Sequence, residues 1–193
     1  MFTTEYFSIS LTSFTLIALA ELGDKSQLVC MTLASRHRHW PVLLGAALAF
    51  SVLNILAVVF GAGVAAWLPE KLTAALVALL FGIFGIHALL INRTDESEVV
   101  VEQTGRSIFM TTLALLFVAE FGDKTQIAVA GLAGSTSPVP VWIGATLALI
   151  LVSALGVWAG RTLLQRLPMS WLHRTGGVIF LIFSCLAAWK VFF

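Results

Sequence analysis

The side chains able to do chemistry fall in two short clusters. Glu21, Asp24, Lys25, Ser26 and Gln27 form the first, with Gly23 between the two acids. Glu120, Asp123, Lys124, Thr125 and Gln126 form the second, with Gly122 in the same place. Both lie within apolar stretches, where an ionised group costs about 2.5–3.5 kcal/mol even on a lenient membrane-insertion scale. Six such charges left alone would cost roughly 15–20 kcal/mol, more than a typical domain's whole stability. They must pair, bind an ion or face water.

Read as continuous helix, the i, i+3 spacing puts Glu21 and Asp24 on one face, with Gln27 a further turn along. Gly23 permits close approach of another helix, or a local break that bares carbonyl oxygens. Ser26 can exchange hydrogen bonds with nearby backbone. The second cluster repeats every element. Together they offer four carboxylates, two amides and two hydroxyls, all oxygen-bearing. Such a donor set suits Ca²⁺, Mn²⁺ or Mg²⁺ rather than Zn²⁺ or Cu⁺. Four carboxylates against two ammoniums leave two negative charges, which one divalent cation neutralises. Protons can take the metal's place on the same carboxylates when it leaves, which is the physical core of cation/proton antiport. Sodium coupling stays open. A purely structural reading pairs Glu21 with Lys25 and Glu120 with Lys124 at i, i+4. It leaves Asp24 and Asp123 unexplained, and the duplication too.

The rest of the chain explains where these clusters sit. Of 193 residues, 59% are hydrophobic and 11% charged, against about 25% charged in soluble domains. The net charge of +1 argues against a nucleic-acid surface. Six stretches reach the roughly 20 apolar residues a membrane helix needs: 7–33, 41–68, 72–91, 107–133, 139–164 and 170–192. The chain is therefore expected to be an all-α integral membrane protein. The first, second, fourth and fifth stretches run long, which predicts tilt or interruption. Glu5 stands where a signal peptide would carry basic residues, so the first stretch reads as a permanent span. Arg36, Arg38, Arg93, Arg106, Arg161, Arg166 and Arg174 share one side, against Lys71 and Lys190 on the other. The Arg-rich side is expected to be cytoplasmic and both termini external.

An offset of 99 residues aligns the halves without a gap. The two clusters coincide, and so do Pro41 with Pro140, Gly45 with Gly144, Gly61 with Gly160 and Pro69 with Pro168. Three spans per half is an odd number, so the second half should enter the membrane from the opposite side. That predicts two inverted-topology three-helix repeats, 1–92 and 107–193, joined by an acidic cytoplasmic linker, 93–106. Transporters built this way hold substrate at the midplane where the repeats meet.

Other polar residues carry less. Asn54, aligned with Ser153, either supports the site or bonds between helices. His87 has no metal-spaced partner and reads as a packed neutral ring. His37 and His39 belong to the basic turn, and Asp95, Glu96, Glu98 and Glu102 to the solvated linker. Trp40, Trp67 and Trp171 suit anchoring at span ends. Cys30 and Cys185 read as small buried hydrophobes.

The twin E-x-G-D-K/R-S/T motifs, one per half, resemble the Golgi-type calcium/manganese cation transporter family, whose bacterial members include a manganese exporter. Both copies match in full, and the repeat covers nearly the whole chain. The resemblance implies a cation site of Glu21, Asp24, Glu120 and Asp123, with Ser26 and Thr125 as further oxygen ligands. It implies divalent cation/proton exchange, no resident cofactor, and Mn²⁺ or Ca²⁺ as cargo. The length and short termini are like those of bacterial members, for which Mn²⁺ export across the inner membrane is the favoured reading. Ca²⁺/H⁺ exchange by the same site is the alternative. A cation channel, selecting through acidic side chains, is a second class. An intramembrane aspartyl protease is a third, though it needs two acids sharing one proton rather than four acids and two amines.

Overall fold

The computed structural model describes residues 2–90, 107–164 and 169–192. They form eight helices, α1 (Phe2–Glu21), α2 (Lys25–Arg36), α3 (His39–Trp67), α4 (Glu70–Leu90), α5 (Ile108–Glu120), α6 (Lys124–Ser135), α7 (Pro138–Leu164) and α8 (Met169–Phe192). There is no strand among the described residues. The acidic linker, with Asp95, Glu96, Glu98 and Glu102, lies outside them, as do Arg93, Arg106 and Arg166. The side chains of Lys25, His87, Arg161, Trp171, Arg174 and Lys190 lie outside them too.

The stretch 7–33 is not one helix. Helix α1 stops at Glu21, and the chain resumes in α2 after a bend of 72°. The stretch 107–133 divides likewise into α5 and α6. Each break holds one glycine in the left-handed region, Gly23 at φ +83° and Gly122 at φ +76°. A side chain there would press Cβ against the following carbonyl. Glu21 and Asp24 are therefore not stacked on one helical face. Glu21 closes α1, and Asp24 sits in the break itself. Replacing Gly23 by Ala is expected to cost about 1–2 kcal/mol, read as a lower midpoint of thermal unfolding in detergent.

Helix α3 and residues Pro138–Trp158 of α7 are each long and apolar enough to cross a membrane, and the bent α1–α2 pair makes a third if counted as one span. Six were expected. Among the described residues two, or three, meet the test by length and composition. Helix α5 by itself, at 13 residues, reaches only about 20 Å of the roughly 30 Å hydrocarbon core.

The halves are interleaved. Helices α1 and α2 pack on α7, while α5 and α6 pack on α3. Helix α4 lies along α8, and α3 along α7. Under the 99-residue offset α1–α4 correspond to α5–α8, so these contacts recur with the halves exchanged. Leu16, Ile17, Val42 and Phe50 of the first half share one core with Leu116, Val129 and Val141 of the second. Glycines set the closest approaches. A Cβ on Gly45 would strike the Phe109 carbonyl and Thr112 on α5, and one on Gly144 would strike the Ser10 carbonyl on α1. Small residues allow backbones to meet in this way. Phe81 of α4 stacks on Phe180 of α8 with ring centroids 5.7 Å apart.

Large apolar side chains point outward along α3, among them Leu44, Leu48, Ile55, Val59 and Phe60. Such a surface suits hydrocarbon rather than water. Trp40 and Trp67, at either end of α3, are exposed as interfacial anchors would be. Cys30 is buried as expected, but Cys185 is exposed, because it lies on the outward face of α8. Cysteine is apolar enough for either setting.

Candidate metal centre

Both breaks carry their acids into the interior. Glu21 is 0% exposed, Asp24 1% and Glu120 5%, while Asp123 is half-buried. Each aspartate amide donates to the carbonyl of the glutamate three residues back, Asp24 to Glu21 at 3.1 Å and Asp123 to Glu120 at 3.2 Å. The same tight turn thus shapes both motifs. Asp123 occupies the position before the first residue of α6 without making a side-chain cap hydrogen bond, which leaves its carboxylate to face the interior. The positive end of the α6 dipole lies next to it and favours negative charge there.

Oxygens of Glu21, Asp24 and Asp123 all lie within 4.8 Å of one another. Two come from the first motif and one from the second, so the triad exists only where the halves meet. Glu120 is buried as well but does not belong to this triad. The expected hydroxyls converge on Glu21: Ser26 Oγ donates to its Oε2 at 3.2 Å, and Thr125 Oγ1, from the other half, donates to its Oε1. Lys124 Nζ donates to Asp24 Oδ2 as a cross-half ion pair. The i, i+4 pairing of Lys124 with Glu120 is thereby replaced, since the break turns the lysine away from its own helix and toward the opposite motif. Asp123 Oδ2 is buried and has no hydrogen-bond partner among the described residues.

The glutamines stand elsewhere than expected from a continuous helix. Gln27 accepts from the Gly23 amide at 2.8 Å and donates to the Val152 carbonyl of α7 at 3.1 Å. Gln126 accepts from the Gly122 amide at 2.6 Å and donates to the Leu53 carbonyl of α3 at 3.2 Å. Positions 53 and 152 are themselves related by the 99-residue offset. Each carboxamide ties a glycine turn to the long helix of the opposite half. Sequence spacing could place the glutamines near the acids, but only the sharp bend turns both ends of the amide onto backbone. Gln27→Leu should leave the Gly23 amide unsatisfied at a cost of about 1–3 kcal/mol, seen as a lowered unfolding midpoint. Asn54 bonds between helices, donating from Nδ2 to Thr146 Oγ1 of α7 at 3.1 Å.

Three carboxylates in so small a volume suit a hard divalent cation with oxygen ligands. Hydroxyls and backbone oxygens nearby can add to the coordination. Nothing in the triad supplies the soft sulfur or imidazole donors that favour Zn²⁺ or Cu⁺.

The pattern of a family described as divalent cation/proton antiporters, GDT1, matches residues 9–96 and 108–192. A GDT1-like protein of Arabidopsis thaliana is 30% identical over 92% of this chain and 69% of its own length. A GDT1-like protein of the cyanobacterium Synechocystis is 31% identical over 93% of this chain and 98% of its own. A Vibrio cholerae protein named as a candidate manganese exporter is 29% identical, covering 96% of this chain and 93% of its own. No solved structure matches the chain.

Proposed function

Because this chain belongs to the GDT1 family of divalent cation/proton antiporters, and is thus a transporter rather than an enzyme, we propose that it exports Mn²⁺ in exchange for protons. The observation that carries this reading is the triad of Glu21, Asp24 and Asp123, drawn from both halves to within 4.8 Å. These three carboxylates are the proposed primary ligands, with Glu120 joining as the halves shift. Ser26 and Thr125 orient Glu21 and offer further oxygens. Gln27 and Gln126 act through the turns they hold, as do Gly23 and Gly122. Lys25, Lys124 and Asn54 support the site.

The proposed architecture is two inverted repeats, 1–92 and 107–193, with each broken pair of helices counted as one span, which gives six spans in all. The exchange of helix contacts between halves supports it, as does the gapless 99-residue offset. An inverted pair of motifs gives alternating access to a shared site by motion of one bundle against the other. On this reading the protein lies in a bacterial inner membrane with both termini outside and the linker in the cytoplasm. Protons load the carboxylates when the metal has left, so net charge is exchanged and the site never stands empty and fully ionised in a low dielectric.

Mn²⁺ is preferred over Ca²⁺ because the Vibrio relative is named for manganese; Ca²⁺/H⁺ exchange is the second reading. The test is uptake into inside-out vesicles of Mn²⁺, Ca²⁺ and Mg²⁺ in competition, with and without a pH gradient. Saturable Mn²⁺ uptake that collapses with the proton gradient is the expected result. Flux at channel rates, indifferent to protons, would defeat the antiport reading.

A further inference from the structure

We propose that Lys124 is a tethered competitor for the transported ion, resting on Asp24 when the site lacks metal and driven off it as the metal binds. The proposal rests on the reading of Glu21, Asp24 and Asp123 as metal ligands and assigns a step to a residue outside them.

Three carboxylates within 4.8 Å of one another repel strongly where water is scarce, and a buried anion needs a partner. One partner of Asp24 is the Lys124 ammonium, reaching across from the opposite half. A metal ligated by Asp24 Oδ2 and the ammonium bonded to that same oxygen would occupy overlapping space. The two cations are also like charges, whose repulsion grows as they close on each other. Occupancy by one therefore weakens the other.

Position makes the exchange feasible. Lys124 is the first residue of α6, directly after the break, and its side chain is 25% exposed while the side chain of Asp24 is 2% exposed. The aspartate is fixed and the lysine borders open space. A four-carbon stem with free torsions lets the ammonium swing clear without moving the helix. Because lysine and aspartate belong to different halves, the contact also holds the halves together until metal replaces it. A static structural ion pair would predict none of this: its lysine stays in place with metal present.

The direct test uses the unaltered protein in detergent or nanodiscs. An amine-reactive reagent is applied with and without Mn²⁺, and modification of each lysine is read by peptide mass spectrometry. Lys71, which is exposed, serves as the internal reference. Mn²⁺ should raise Lys124 labelling several-fold relative to Lys71. Unchanged or reduced labelling under saturating Mn²⁺ would overturn the proposal. A second arm titrates Mn²⁺ by its electron paramagnetic resonance signal. Lys124→Met, which keeps the stem but removes the charge, should bind Mn²⁺ about tenfold or more tightly, and Lys124→Arg should not. Weaker binding in Lys124→Met would also overturn it. The outcomes separate cleanly from failure of the metal-site reading. If Asp24→Asn binds Mn²⁺ as well as the unaltered protein, that reading falls. If Asp24→Asn loses binding while Lys124 labelling ignores Mn²⁺, only the competitor role falls.

Discussion

Asp24→Asn is expected to lower metal transport at least about 100-fold, since affinity in oxygen-ligand sites follows the count of charged ligands, while the protein still inserts. The substitution keeps size and removes one negative charge from a triad of three. It also strips Lys124 of the carboxylate it is paired with. Lys124 is 25% exposed and can turn outward when its partner is lost, so only about 1 kcal/mol of the effect is expected to fall on stability. Membrane abundance and the unfolding midpoint must be measured beside uptake in inverted vesicles. Normal abundance with full Mn²⁺ uptake would contradict a site that depends on Asp24. Asp123→Asn is expected to behave alike in transport. It should be gentler on stability, because Asp123 has one oxygen unbonded among the described residues.

Gly61→Val should have the second largest effect, through packing alone. A Cβ at position 61 would overlap the carbonyl oxygen, carbonyl carbon and Cα of Ala130 on α6. All three are backbone atoms inside a helix and cannot turn aside as a flexible side chain would. Overpacking typically costs about 1–3 kcal/mol, and with no soft neighbour the upper end is expected for Ala and more for Val. The displaced helix is α6, which carries Lys124, Thr125 and Gln126 at its start. The variant should therefore show low membrane yield, and any protein recovered should bind Mn²⁺ poorly. Wild-type yield and binding would show that α3 and α6 can separate freely. Gly63→Ala on the same helix is the control, since a Cβ there meets nothing within 4 Å.

That the two motifs should meet was legible in the sequence, because charge in an apolar stretch needs a reason and a repeat at one offset pointed to one. Glu21, Asp24 and Asp123 were identified that way, and the structure places them together. The break at Gly23 was one of two options left open by spacing. Spacing alone does not decide between a packed glycine and a positive φ; the positive φ comes with Gln27 bridging the Gly23 amide to the Val152 carbonyl of the other half. The exchange of Lys124 from Glu120 to Asp24 was not readable for the same reason. Partners four residues apart in one helix are an obvious pair, and partners 100 residues apart depend on which face of one half meets the other. Where the long stretches 7–33 and 107–133 divide was hidden in a related way. A hydropathy run records apolar length but not direction, so a run bent in the middle reads as one span.

The interleaving of α1 and α2 with α7, and of α5 and α6 with α3, has a consequence for biogenesis. While the ribosome is still making the second half, the first has no surface on which to shelter Glu21 and Asp24. Synthesis of another hundred residues takes roughly 5–20 s at about 5–20 residues per second. Through that interval the nascent segment needs the insertion machinery or a chaperone as a surrogate neighbour. A chain truncated after residue 106 should accordingly be degraded within minutes in pulse-chase labelling, and co-expression of the remainder should rescue it.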